Sequence, residues 1–278
     1  MASKAVLITG CSTGIGRKTA EHLAHKGWTV YATARRPESI SDLEQKGCRT
    51  LALDVTDEES MRAAVSAVEQ AEGAVGVLVN NAGYSQSGAV EEVPMDQVRR
   101  QFETNVFGLL RMCQLVLPGM RRQGWGRIVN ISSMGGRLVF PGGGIYHGTK
   151  FAVEAISDAM RLEVRNFGVD VILIEPGLIK TEFGETAAHS VNDTAPAEGP
   201  YAAFNQQVAA TTAGAYKGRG PTGPEAVAKR IEKAISRRRP GARYPVTVGA
   251  RALLGVRRVL PARGWDALMR TQFKPPGG

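Results

Sequence analysis

The chain has 278 residues, 43% of them apolar and 22% charged, an ordinary globular balance that excludes a disordered chain. Its three cysteines, Cys11, Cys48 and Cys113, are too few and too scattered for a disulfide framework, and no pair has zinc-ligand spacing. The net charge of +9 is concentrated at the end: residues 217–278 hold fifteen Lys/Arg against three Asp/Glu, a net of +12, so the other residues sum to −3, which excludes a uniformly basic nucleic-acid binder.

The N-terminus, MASKAVLITG, enters a strand-like run directly without the layout of a signal peptide, and no apolar run is long enough to span a bilayer. A cytoplasmic protein without stable membrane insertion is expected. Strand-like runs follow at Lys4–Thr9, Trp28–Thr33, Thr50–Val55, Gly76–Asn80, Arg127–Ile131 and Val169–Glu175. Several are nearly continuous in Val, Ile and Leu, as strands buried on both faces require. Helical periodicity fills Gly16–Lys26, Asp57–Glu72, Met95–Arg122 and residues 146–166 between them. Strands alternating with helices predict an α/β, doubly wound Rossmann fold: one domain over residues 1–278, with a parallel sheet and helices on both faces. Tyr244–Val248 supplies a seventh strand. Residues 180–224, rich in Gly, Ala, Thr and Pro with weak periodicity, predict an irregular insertion acting as a substrate loop or lid. Residues 225–278 form a basic extension whose stretch 246–273 mixes Leu, Val, Trp and Met with arginines; it reads either as an amphipathic membrane-surface or lid segment or, as expected here because Pro261 and Gly264 break any long helix, as helices packed on the body with a solvated basic face.

The first strand runs into Thr9-Gly10-Cys11-Ser12-Thr13-Gly14-Ile15-Gly16 and then a helix. Glycines let the backbone approach a pyrophosphate, and a helix N-terminus offers unpaired N–H groups with a positive dipole end. The spacing is G-x-x-x-G-x-G, and alone it carries moderate weight. The second strand ends in Ala34-Arg35-Arg36, with no acid before Glu38. An acid there would hold the ribose hydroxyls of NAD, whereas guanidinium groups pair with a 2′-phosphate, so NADP(H) is expected over NAD(H).

Tyr146 and Lys150 stand four apart at the start of a helical pattern, on one face. An ammonium near a phenol lowers its pKa and fits it for proton transfer. Such a pair is common by chance. Its weight comes from Ser132-Ser133 closing the fifth strand and Asn80-Asn81-Ala82-Gly83 closing the fourth, because ligands of parallel sheets bind beyond the strands' carboxyl ends. Asn105 is a polar residue among Phe102, Val106, Leu109 and Leu110 in the following helix.

This set resembles the short-chain dehydrogenase/reductase family over residues 4–182. The resemblance implies that Gly10, Gly14 and Gly16, with Ser12, Thr13 and Ile15 between them, line the pyrophosphate. It places Asp54 on the adenine amino group with Val55 alongside, Asn81 and Ala82 at the adenosine ribose with Gly83 following, and Arg35 on the 2′-phosphate. Ser133 would bind the substrate oxygen, Tyr146 would exchange its proton, and Lys150 would also hold the nicotinamide ribose. Asn105 would keep a water joining Lys150 to solvent, and Pro176, Gly177 and Thr181 would meet the nicotinamide. Gly148 departs from the small non-glycine residue usual there, at a cost of roughly 1 kcal/mol of helix stability. Thr13 departs from the basic residue of some NADP-binding members.

The stretches Val30–Arg35 and Phe140–His147 further resemble bacterial relatives of 17β-hydroxysteroid and retinol dehydrogenases, which implies a hydrophobic alcohol or ketone of steroid, retinoid or aliphatic type. A reductase of 3-oxoacyl groups on a carrier protein and a non-catalytic NADP(H) sensor are the alternatives. A homodimer or homotetramer through residues 95–122 and 146–166 is the family-level expectation.

Overall fold

The computed structural model describes residues 2–192, 198–217 and 221–276. Seven strands form one all-parallel sheet in the order β3-β2-β1-β4-β5-β6-β7. They are β1 (Val6–Ile8), β2 (Val30–Ala34), β3 (Cys48–Ala52), β4 (Val77–Asn80), β5 (Gly126–Ile131), β6 (Val169–Glu175) and β7 (Arg243–Pro245). Every residue of β1, β2, β4 and β5 is buried, which accounts for their largely apolar sequences; the polar members Thr33, Asn80, Arg127 and Asn130 are buried with them.

Alternate residues serve opposite layers. Val6 and Ile8 pack with Ala20 and Leu23 of α1 (Gly14–His25) and Val227 and Ile231 of α8 (Pro224–Ile235). Leu7 and Leu78 pack on the other face with Met61 of α2 (Glu58–Glu72), Met112 of α4 (Leu109–Gln123) and Val153 of α5 (Gly144–Val164). Asp57 starts α2 by accepting from the N–H groups of Glu59 and Ser60 at 2.9 and 3.3 Å.

Strand order reverses at β1, whose neighbours are β2 and β4. A crevice opens beyond the carboxyl ends of such a pair, and the glycine loop and Asn80–Gly83 both leave the sheet there.

Several elements depart from expectation. The third strand starts at Cys48, because its ladder with β2 begins with Val30 opposite Cys48. The helix expected over Met95–Arg122 is divided: α3 (Met95–Phe102) passes through a π-helical turn, Glu103–Gly108, into α4. The seventh strand covers Arg243–Pro245, since Thr247 turns away to cap α9 (Val248–Val259), its hydroxyl accepting from Ala250 N–H at 3.0 Å.

The expected irregular insertion is helical among its described residues, forming α6 (Phe183–Asn192) and α7 (Ala202–Lys217). Asn205 of α7 ties these helices to the body, accepting from Ala89 N–H at 2.9 Å and donating to Glu92 at 2.6 Å. Within residues 225–278, α8 and β7 belong to the sheet body. Helix α9 and α10 (Ala262–Gln272) dock through Trp265, whose indole N–H donates to Val139 O at 3.1 Å beside buried Leu138 and Met269. No helix among the described residues is long and apolar enough to cross a membrane.

Candidate active site

The glycine loop is held from below by β4. Asn81 donates through Nδ2 to Thr9 O and Gly10 O, both at 2.9 Å. The Thr9 hydroxyl accepts from the N–H groups of Asn81 and Ala82, both at 3.0 Å. A Cβ on Gly16 would lie 2.3 Å from Gly10 O and 2.4 Å from Asn81 Nδ2, so only glycine permits this closure. Asn81 therefore braces the loop, a role its sequence position did not reveal. The N-cap of α1, Thr13, makes no side-chain capping bond, and the first turn carries no acid. Uncapped N–H groups and the dipole end are left for an anion.

A cavity of about 920 Å³ runs from this loop across the carboxyl ends of the strands. Ser12, Thr13 and Ile15 line it together with Arg35, Asp54 and Val55. Arg35 is exposed at the exit of β2. The Asp54 carboxylate is oriented by Thr56, which donates to it through N–H at 2.9 Å and through its hydroxyl at 2.8 Å. An uncapped helix end, a turn without room for a Cβ and an exposed guanidinium fit a phosphorylated dinucleotide.

Ala82, Gly83, Ser133, Tyr146, Lys150, Pro176, Gly177 and Thr181 line the same cavity. A Cβ on Gly14 would touch Thr181 Cγ2 at 3.3 Å, so the segment after β6 closes onto the glycine loop. Ser133 caps the short turn Met134–Gly136, accepting from Gly135 N–H at 3.0 Å, and lines the cavity with Tyr146. Lys150 is buried in the second turn of α5 and donates to Ile131 O at 2.8 Å. Its Nζ lies 5.8 Å from the centre of the Tyr146 ring.

Asn105 stands on the π-helical turn, outside the cavity lining but behind it. It clasps the Tyr84 backbone, accepting from its N–H at 3.1 Å and donating to its carbonyl at 2.9 Å. It also donates to the Thr149 hydroxyl at 3.1 Å, and that hydroxyl donates to Tyr146 O at 2.7 Å. The widened turn thus connects Asn105 to the start of α5.

The protonation states differ from expectation. Lys150 is not among the groups that shift the Tyr146 pKa. Burial pushes the phenol up, against a smaller lowering by the Ser133 side chain, although the half-buried ring still opens on the cavity. The ammonium is engaged by Ile131 instead. Burial brings Lys150 itself down to about 8, opposed by Glu154 one turn on. The phenol consequently holds its proton at neutral pH, the state a proton donor needs.

Three features escaped the sequence reading. His147 pins the loop over the cavity: Nδ1 bonds Gly135 O at 2.9 Å and Nε2 accepts from Phe140 N–H at 3.2 Å, a neutral ring that burial favours. Behind the site, Glu154 accepts from Ser132 at 2.5 Å and from Arg243 at 2.9 Å, with Glu175 buried beside them. Beyond Tyr146 the cavity becomes an apolar arm: Phe183 meets the Tyr146 ring at 5.5 Å between centroids, and Val208, Tyr216, Leu253 and Met269 continue the wall.

A family model described as short chain dehydrogenase matches residues 4–192. An uncharacterised oxidoreductase, YbbO of Escherichia coli (strain K12), is 35% identical over 268 residues, 96% of this chain and 94% of the relative. An NADPH-dependent 3-dehydrocapnine reductase of Ornithobacterium rhinotracheale is 34% identical over 277 residues, 96% of each chain. The crystal structure of a short-chain dehydrogenase from Streptomyces avermitilis superposes with a TM-score of 0.80 at 34% identity, covering 97% of this chain and 99% of that one.

Proposed function

The chain belongs to the short-chain dehydrogenase family, and from that premise we propose that it interconverts a hydrophobic ketone or aldehyde and its alcohol with NADP(H). An oxidoreductase acting on a CH–OH group follows from membership; the cofactor preference, the substrate class and the residue roles are the proposal. The observation that carries it is the convergence of Ser133, Tyr146 and Lys150 on the cavity that begins at the uncapped glycine loop.

The nicotinamide, when bound, supplies or accepts the hydride. The chain's residues do the rest. Gly10 and Gly14 would admit the pyrophosphate to the α1 N-terminus, with Ser12, Thr13 and Ile15 around it, while Gly16 closes the loop from behind against Gly10 O and Asn81. Arg35 pairs with the 2′-phosphate, and Asp54 and Val55 hold the adenine. Ala82 and Gly83 border the adenosine ribose, above the Asn81 brace. Pro176, Gly177 and Thr181 border the nicotinamide. In the reducing direction Tyr146 gives its phenolic proton to the carbonyl oxygen, and Ser133 Oγ orients that oxygen. Lys150 would hold the nicotinamide ribose. Asn105 fixes Tyr84 and Thr149 with its amide, and the remaining lone pair on Oδ1 receives the water that joins Lys150 to solvent.

The apolar arm supports a free hydrophobic substrate, covered by α6 and α7, over an acyl group held on a carrier protein. The relative named as NADPH-dependent supports the cofactor. Exposed Phe107, Phe151 and Leu162, on the π-helical turn and α5, support a homo-oligomer through those elements. The test is a panel of steroid, retinoid and aliphatic ketones and their alcohols, followed by NADPH absorbance. Turnover of a hydrophobic member with NADPH preferred over NADH is expected; preference for NADH, or no turnover across the panel, overturns the proposal.

A further inference from the structure

Helix α9 is apolar on two sides. Its inner side seats Ala250, Leu253 and Leu254 on the body, Ala250 fully buried. Its outer side carries Val248, Ala252, Gly255, Val256 and Val259, spaced to fall along one stripe of the helix. All five are exposed, Val248 and Val259 at 78%. A solvated basic face accounts for the arginines but not for this stripe.

Arg251 and Arg258, also exposed, flank the stripe on one edge. Residues 248–274 contain six basic groups and one acid, Asp266. Of the six, only Arg257 is half-buried: it donates to Leu260 O at 3.2 Å and lies over the Trp265 ring. The other five, Arg251, Arg258, Arg263, Arg270 and Lys274, are exposed.

We propose that the outer side of α9, with the exposed arginines of α9 and α10, docks the enzyme on the surface of an anionic lipid membrane. An apolar stripe beside exposed cations is the pattern of a helix lying in the interface plane, with its apolar side in the headgroup boundary. Charge selects this occupant. In an antiparallel two-fold contact with a second copy the two arginine edges would meet, Arg251 beside the partner's Arg258. The stripe also consists of Val, Ala and Gly and lacks the large aromatic anchors that concentrate affinity in protein–protein contacts. The same two helices form part of the cavity wall: Leu253 of α9 and Leu268, Met269 and Gln272 of α10 line the space that contains Tyr146. The surface placed on the membrane is therefore the back of the substrate arm's wall, and a hydrophobic substrate dissolved in lipid is held beside it. That last step rests on the carbonyl-reductase reading; the docking itself does not.

Sedimentation of the full chain with vesicles tests it. Vesicles of phosphatidylcholine containing about a third phosphatidylserine should bind the protein, and pure phosphatidylcholine vesicles should not. Each basic side chain brought to such a surface strengthens binding about fivefold, so Arg251→Glu with Arg258→Glu should weaken it by about 25-fold or more. Val248→Asp with Val259→Asp should weaken it by more than about tenfold through lost apolar burial. Both pairs lie outside the cavity, so NADPH binding by fluorescence should match wild type and report an intact fold. No vesicle binding by wild type, or binding undiminished by the valine pair, overturns the proposal; so does light scattering in which the valine pair converts an oligomer into monomers. Reduction of 2-decanone, read on the same preparations, separates the two claims: turnover without vesicle binding defeats only the docking, and vesicle binding without turnover of any carbonyl defeats only the reductase reading.

Discussion

Replacing Glu175 by Gln should stabilise the cofactor-free protein at pH 8 and leave it nearly unchanged at pH 5. Glu175 ends β6 and is fully buried. Its nearest cations, Arg137 and Arg243, stand at 3.5 and 3.4 Å, too far for short charge-assisted hydrogen bonds. Arg243 already serves Glu154 at 2.9 Å and Asp158 at 2.6 Å. Burial first, and repulsion from Glu154 second, push the Glu175 carboxyl from 4.5 up to about 7. The folded protein thus keeps a proton between pH 4.5 and 7 that the unfolded chain has lost. Stability falls as pH rises through that window, and the whole cost is present above pH 7. A shift of this size corresponds to about 3 kcal/mol. The glutamine also forfeits the weak attraction of the two arginines, so about 1–3 kcal/mol of stabilisation remains at pH 8. Urea unfolding of both proteins at pH 8 and pH 5 measures it. A variant less stable than wild type at pH 8, or equally stabilised at both pH values, refutes the reasoning.

Arg35→Asp would remove the proposed charge-assisted pair to the 2′-phosphate, worth about 1.5–3 kcal/mol, so NADPH affinity should fall by roughly 10–100-fold while NADH affinity holds or improves; isothermal titration with both nucleotides checks it, and an equal loss for both would contradict it. Gly16→Ala drives a methyl into Gly10 O and Asn81 Nδ2. Overpacking of about 1–3 kcal/mol should weaken NADPH binding by at least fivefold, read by fluorescence titration. Gly148→Ala is the opposite case: its Cβ would meet only Phe102 Cζ, at 3.8 Å, so the helix should gain about 0.8–1 kcal/mol in urea unfolding at unchanged kcat.

The sheet was legible because β1, β2, β4 and β5 are buried throughout, and burial on both faces writes short runs dominated by Val, Ile, Leu and Ala. The cofactor-end residues of the cavity were legible because each lies just past the end of a strand or at the start of α5. What was not legible depends on contacts distant in sequence. The apolar spacing of Phe102, Val106, Leu109 and Leu110 reads through the π-helical turn, and the widening shows only where Asn105 clasps Tyr84. Helix α7 is rich in alanine and lacks a clear apolar stripe, so periodicity passed over a segment that alanine propensity favours. Val248, Val256 and Val259 look like core residues until Trp265 fixes which side of α9 faces inward. The Tyr146–Lys150 spacing places both on one face, yet it does not say that Ile131 takes the ammonium.

The central claim is that Tyr146 moves the proton of an NADPH-dependent carbonyl reduction. Tyr146→Phe keeps the ring against Phe183 and removes only the phenolic hydroxyl. With a hydrophobic ketone turned over by wild type, the account predicts a fall in kcat/KM of about 10²–10⁴-fold at unchanged NADPH affinity. A variant that reduces the same ketone at the wild-type rate would contradict it.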